Sequence, residues 1–86
     1  MNEMVGEITE VGIVINSLSE IYADVSVPRN VRTKIEFVLN TLKDNIELST
    51  KVNKALNELG GISTDANLQA YTRTQIWNAM SALEKL

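Results

Sequence analysis

Cysteine and histidine are both missing from this chain. Without cysteine there is no disulfide framework to staple a small fold, and no redox-active thiol. Without either residue the usual zinc ligands are gone, and only carboxylates remain for a metal. The Ser-His and Cys-His pairs of nucleophilic catalysis are excluded as well. No Gly-x-Gly-x-x-Gly or phosphate loop is present either. Apolar runs stop after a few residues, far short of the ~20 that cross a bilayer, so no membrane association is expected. The opening Met-Asn-Glu-Met-Val-Gly-Glu is acidic where a signal peptide carries positive charge, so a cytoplasmic protein is expected. Basic charge is scarce: 8 Lys and Arg against 11 Asp and Glu give a net charge of −3. Nucleic-acid binders normally carry a basic excess to displace counterions from phosphate, so this balance disfavours that class. The deficit is also uneven, since Glu3, Glu7, Glu10, Glu20 and Asp24 all precede the first basic residue, Arg29.

What the chain does have is a repeat. Asp24 matches Asp65, Val27 matches Leu68, Arg32 matches Arg73, Thr33 matches Thr74, Ile35 matches Ile76 and Leu42 matches Leu83, all 41 positions apart. The same offset pairs Val11 with Val52, Val14 with Ala55, Ile15 with Leu56, Leu18 with Leu59 and Ile21 with Ile62. A constant shift through apolar and polar positions alike describes one helical hairpin used twice. The 86 residues, 44% hydrophobic and 22% charged, have the composition of an ordinary soluble globular domain. A chain of this size buries roughly 60–65% of its unfolded surface. With no staple available, stability has to come from helix packing, with self-association as the one further source open to it.

Four helices are read from periodicity. The first, about 3–23, carries Met4, Ile8, Val11, Ile15, Leu18 and Tyr22 at steps of four and three, widened by Val14 and Ile21. Gly12 inside it suggests close approach of a neighbouring helix. Pro28 suits the first position of a second helix running to about Lys43, with Val31, Ile35, Val38, Leu39 and Leu42 inward and Phe37 on the flank. Asp44 and Glu47 have capping-box spacing before a third helix at about 45–59, which Gly60-Gly61 is expected to end. Its stripe is Leu48, Val52, Ala55, Leu56 and Leu59. The fourth, about 67–85, carries Leu68, Thr72, Ile76, Ala79, Met80 and Leu83. Short connections make neighbours antiparallel. The expected architecture is all-α: a single domain over 1–86, a four-helix up-and-down bundle of two repeated hairpins, about 3–43 and 45–85. A two-unit HEAT-like stack is the structural alternative, and the closed bundle buries more.

The stretch Asp24-Val-Ser-Val-Pro28-Arg29-Asn30-Val31-Arg32, and later Arg73-Thr74-Gln75-Ile76-Trp77-Asn78, resembles a set of short archaeal proteins grouped as an uncharacterised protein family. With the length and helix layout, the resemblance covers nearly the whole chain. It implies an all-helical four-helix protein and brings no activity with it. The first turn is also similar to the inter-helix turn of HEAT repeats, although Gln69 stands in the second unit where Pro28 stands in the first.

Several polar and aromatic features are candidates for function. Each of Asp24 and Asp65 precedes a helix, with Arg32 or Arg73 eight residues later. Their recurrence favours a structural role, the Asp capping its helix and the Arg tying the turn to the neighbouring hairpin. Arg29, Arg32 and Lys34 near the start of the second helix are the candidate anion or RNA site. Glu3, Glu7 and Glu10 share a helical face, but carboxylate-bridged metal bundles draw on several helices and on histidine, so a solvated face is expected and no metal or cofactor. Trp77 sits at the edge of the last helix's stripe, where its repeat partner is Glu36. A Trp in place of a solvated Glu marks a surface that gains by being covered, and Arg73 one turn earlier has the chemistry to stack on it. Packing of the indole over the bundle edge is the plainer account. Tyr22 and Tyr71 extend the same patch. The reading is a non-enzymatic protein–protein interaction module, self-associating or bound to another protein, with contact around Arg73, Trp77 and Met80. The alternative is an accessory RNA or ribonucleoprotein factor using Arg29, Arg32 and Lys34.

Overall fold

The computed structural model describes the backbone of residues 2–86 and the side chains of residues 10–86. Four α-helices follow in order: α1 (Asn2–Ala23), α2 (Arg29–Lys43), α3 (Leu48–Ile62) and α4 (Ala70–Glu84). Each packs on two neighbours: α1 on α2 and α4, α3 on α2 and α4. Among the described residues the diagonal pairs do not meet, so the four form a closed square. A stack of hairpins would bring α1 onto α3 and α2 onto α4. The chain is therefore a four-helix bundle, 41 Å long and 19 Å across.

The core follows the repeat. Leu18 and Leu59 are both fully buried, as are Ile35 and Ile76, and the pairs Val14/Ala55, Ile21/Ile62, Val27/Leu68, Val38/Ala79 and Leu42/Leu83 are buried with them. Thr72 fills the buried place that Val31 takes in the first hairpin. Burying such aliphatic side chains stabilises the fold by about 1.5–3 kcal/mol each, set against the ordering entropy of the helices. In α1 the inward face is Val14, Leu18 and Ile21, rotated from the expected stripe, and Tyr22 lies at the surface. Met4, Ile8, Glu3 and Glu7 lie outside the residues whose side chains are described, and Glu10 is half-buried.

The turns match as closely as the core. Asp24 Oδ1 accepts the Ser26 amide at 2.9 Å, and Asp65 Oδ1 accepts the Asn67 amide at 2.8 Å. Each turn is then closed over four residues, from Val27 N to Asp24 O and from Leu68 N to Asp65 O. The aspartates thus shape the turns from within and cap no helix, because an Asp side chain reaches its own backbone two residues on before any helix has begun.

The helix ends depart from the expected boundaries. Pro28 is the N-cap of α2, outside its first turn, with ψ of 144° and its carbonyl accepting the Arg32 amide at 3.0 Å. Gln69 does the same for Arg73 with ψ of 149°, so the turn does not require proline and the substitution leaves the repeat intact. Asp44 ends α2 instead of starting α3, its carboxylate held by the Asn45 amide at 2.8 Å. Lys51 Nζ donates to the carbonyls of Leu42 and Asp44, supplying cationic satisfaction to the α2 C-terminus. Helix α3 runs through Gly60 and Gly61, neither of which has a positive φ. It stops where the Ser63 and Thr64 hydroxyls donate back to the Gly60 and Gly61 carbonyls, both at 2.8 Å. A Cβ placed on Gly12 would meet open space, so no neighbouring helix depends on its being glycine.

Candidate functional sites

The two matched arginines tie their own turns, not the neighbouring hairpin, and they do so unequally. Arg73 donates from Nε to Ser63 O at 2.9 Å and from Nη2 to Asp65 O at 2.8 Å. Arg32 donates from Nε to Val27 O at 3.2 Å, and among the described residues its terminal nitrogens make no hydrogen bond. The contact between hairpins comes from another pair, Asn30 Nδ2 donating to Asp65 Oδ2 at 3.3 Å. Asp24 is held below the ordinary carboxylate value by the Ser26 hydroxyl and amide, with a smaller contribution from the positive charge of Arg32.

Beside this first turn, Tyr22, Arg29, Arg32, Thr33 and Glu36 line a polar surface cleft of about 310 Å³. Positions 29, 32, 33 and 36 share one face of α2 by their spacing, and Tyr22 closes the cleft from the end of α1. Arg29 and Arg32 of the anion candidate are therefore brought together. Lys34 is exposed and does not line the cleft. Tyr22 was invisible as a member, since on periodicity it belongs to the α1 core stripe.

On the opposite hairpin, Trp77 is 54% exposed and Tyr71 73% exposed, while Met80 is half-buried against the core. Arg73 shares this stretch of α4, but its guanidinium is committed to the two turn carbonyls. Met80 Cε lies near Gly60, 3.9 Å from where a Cβ would stand, which places this flank of α4 beside α3. A second, less polar cleft of about 530 Å³ opens between α3 and α4 near the chain's end, with Leu48, Val52, Leu56, Leu83 and Leu86 in its wall.

Exposed apolar residues ignore the repeat that the core obeys. Ile13, Tyr22, Val25, Phe37, Tyr71, Trp77 and Leu86 are exposed. Their partners in the other hairpin are Lys54, Ser63, Ala66, Asn78, Asn30, Glu36 and Asn45, small or polar in every case. Packing holds the buried positions alike, and nothing inside the fold holds these. Among the described residues, no group of three or more acidic side chains is placed to hold a metal ion. Among the described residues no helix is long and apolar enough to cross a membrane.

Fold and turns together define an all-α, four-helix protein built from a duplicated hairpin. The chain belongs to the Uncharacterised protein family (UPF0147), which it matches over residues 1–86. It is 38% identical over 73 residues to the UPF0147 protein of Archaeoglobus fulgidus, covering 85% of this chain and 84% of that one. It is 40% identical over 70 residues to UPF0147 protein MJ1419 of Methanocaldococcus jannaschii, covering 80% and 75%. A solved structure, titled as that of the unknown function protein MMP1188, superposes with a TM-score of 0.84 at 36% identity, covering 90% of this chain and 89% of that one.

Proposed function

We propose that the protein is a protein–protein interaction module of the cytoplasm, working by binding and not by turnover, and that it docks through the α4 edge around Trp77 and Met80, next to Arg73, whose guanidinium holds the turn at the head of that edge. The observation that carries this reading is Trp77, a large aromatic ring 54% exposed at a position where the other hairpin has Glu36. An indole in water gives up the transfer free energy of its apolar area, and burial at an interface recovers it. The neighbouring helix adds support. Gly60 and Gly61 each cost a helix about 1 kcal/mol relative to Ala, and neither is demanded by internal packing. Bare helical backbone at Gly60, next to Met80 of the proposed edge, suits the close approach of an outside surface.

The test is sedimentation equilibrium of the purified chain over a wide concentration range, alone and with Trp77→Glu, which restores the residue of the first hairpin. Association that weakens in the variant with an unchanged melting temperature supports the module. A large loss of stability with association intact would make Trp77 a structural residue and end the proposal. The lesser reading is RNA binding through Arg29 and Arg32, favoured by their sharing one cleft. It requires affinity that falls steeply with salt.

A further inference from the structure

The cleft of Tyr22, Arg29, Arg32, Thr33 and Glu36 has a built-in comparison, because the second hairpin contains the same place. There Ser63 replaces Tyr22, Ala70 replaces Arg29 and Trp77 replaces Glu36, while the Arg and Thr remain as Arg73 and Thr74. The second hairpin thus shows how much of this place the turn itself uses: one arginine, bonded twice to turn carbonyls. The first hairpin adds a second arginine and a tyrosine and uses a single guanidinium nitrogen on its turn. Asp24 of that turn feels the positive charge of Arg32, but its Oδ1 is taken by both the amide and the hydroxyl of Ser26, and among the described residues it makes no hydrogen bond to Arg32. Turn architecture accounts for neither Arg29 nor the uncommitted end of Arg32.

We propose that this cleft binds a small phosphomonoester. Arg29 and the terminal nitrogens of Arg32 hold the phosphate oxygens through charge-assisted hydrogen bonds. The Thr33 hydroxyl is a further donor, and the Tyr22 ring flanks the organic part of the ligand. The cleft, about 310 Å³ and open to solvent, has room for a phosphate group and a small organic group beside it. Glu36 in the same wall opposes a second phosphate, so a polyphosphate or a nucleic-acid strand is a poor occupant. The net charge of −3 acts in the same direction. The site is separate from the α4 edge, and either can fail without the other.

The experiment is a titration of the isotope-labelled full chain with phenyl phosphate, followed by amide shifts, with inorganic phosphate and a short single-stranded oligonucleotide run in parallel. Saturable shifts confined to residues around Tyr22, Arg29, Arg32 and Thr33 are expected, with phenyl phosphate binding more tightly than inorganic phosphate. Arg29→Ala, an exposed position with no hydrogen bond among the described residues, is expected to weaken binding about tenfold without altering the melt. Glu36→Gln is expected to tighten binding of phenyl phosphate several-fold. Shifts spread over all basic residues, or binding indifferent to Arg29→Ala, would overturn the proposal. Preference for the oligonucleotide would overturn it in favour of RNA.

Discussion

Asn30 and Asp65 join the two hairpins at the turn end of the bundle, Asn30 Nδ2 donating to Asp65 Oδ2 across 3.3 Å. The repeat would place a second such bond between Tyr71 and Asp24, but Tyr71 is exposed and Asp24 takes Ser26 as its partner. The link is thus single-sided, long and solvated. Asn30→Ala is expected to cost less than about 1 kcal/mol, read as a shift in urea midpoint with an unchanged slope. Tyr71→Asn supplies the missing donor to Asp24 and is expected to leave stability within a few tenths of a kcal/mol of the parent, roughly the scale of an exposed polar contact.

Asp24 gives a pH signature. Its carboxyl is lowered from an ordinary value of 3.8, first by the Ser26 hydroxyl, then by the Ser26 amide and by Arg32. A carboxyl whose folded pKa lies below its unfolded one adds stability above the unfolded value, and loses it as pH falls through the folded one. Ser26→Ala should therefore raise the Asp24 titration toward 3.8 in a carboxyl-carbon NMR experiment. It should also destabilise the fold at neutral pH by an amount that disappears in acid. A stability gap that persists unchanged at low pH would mean that Ser26 acts on the turn independently of the charge.

The core was legible because buried positions obey two constraints together, the helical period and the 41-residue offset. A side chain that satisfies both has almost nowhere else to be. Helix ends lacked that redundancy. Asp44 and Asp65 carry N-cap signals, yet their carboxylates accept turn amides outside the helices. Gly60-Gly61 carries a C-cap signal, yet the Ser63 and Thr64 hydroxyls satisfy the last carbonyls of α3. Tyr22 is ambiguous for a related reason: it and Ile21 both follow Leu18 at helical spacing, and only packing against the neighbouring helices decides that Ile21 turns inward. The Glu36 partner marks Trp77 as an edge position but leaves open whether the indole packs over the bundle or faces solvent, which only the fold decides, at 54% exposed. The polar cleft was readable only in part, through the spacing of 29, 32, 33 and 36, since its remaining wall comes from another helix.

Gly60 and Gly61 separate folding from association. A methyl group at Gly61 meets nothing within 4 Å, and at Gly60 it makes an ordinary 3.9 Å contact with Met80 Cε. Each Gly→Ala change is therefore expected to stabilise the monomer by about 0.5–1 kcal/mol, from lower unfolded-state entropy and better helix propensity. For a chain of this size that is roughly 4–8 °C of melting temperature per kcal/mol. If the bare backbone seats a partner, the doubly substituted chain melts higher and associates less. A variant that melts higher and associates equally well would remove the glycines from the interface.

Arginine replacement by lysine tests whether the matched residues do the same work. Arg73 spans two carbonyls with a planar fork, and a single ammonium cannot reproduce both bonds in that geometry. Arg73→Lys is expected to cost about 1–2 kcal/mol, because one of the two charge-assisted bonds to the Ser63 and Asp65 carbonyls is lost. Arg32 makes one bond of 3.2 Å to its turn, so Arg32→Lys should cost half as much or less. The comparison is made by chemical denaturation of the two single variants under identical salt, since solvent screens both sites. Equal losses would mean that Arg32 is as fully engaged in its turn as Arg73, and the cleft would then have one arginine to offer a phosphate instead of two. An unequal pair, with Arg32→Lys nearly silent in stability but weakened in phosphomonoester binding, separates the arginine that builds the fold from the one that the fold presents.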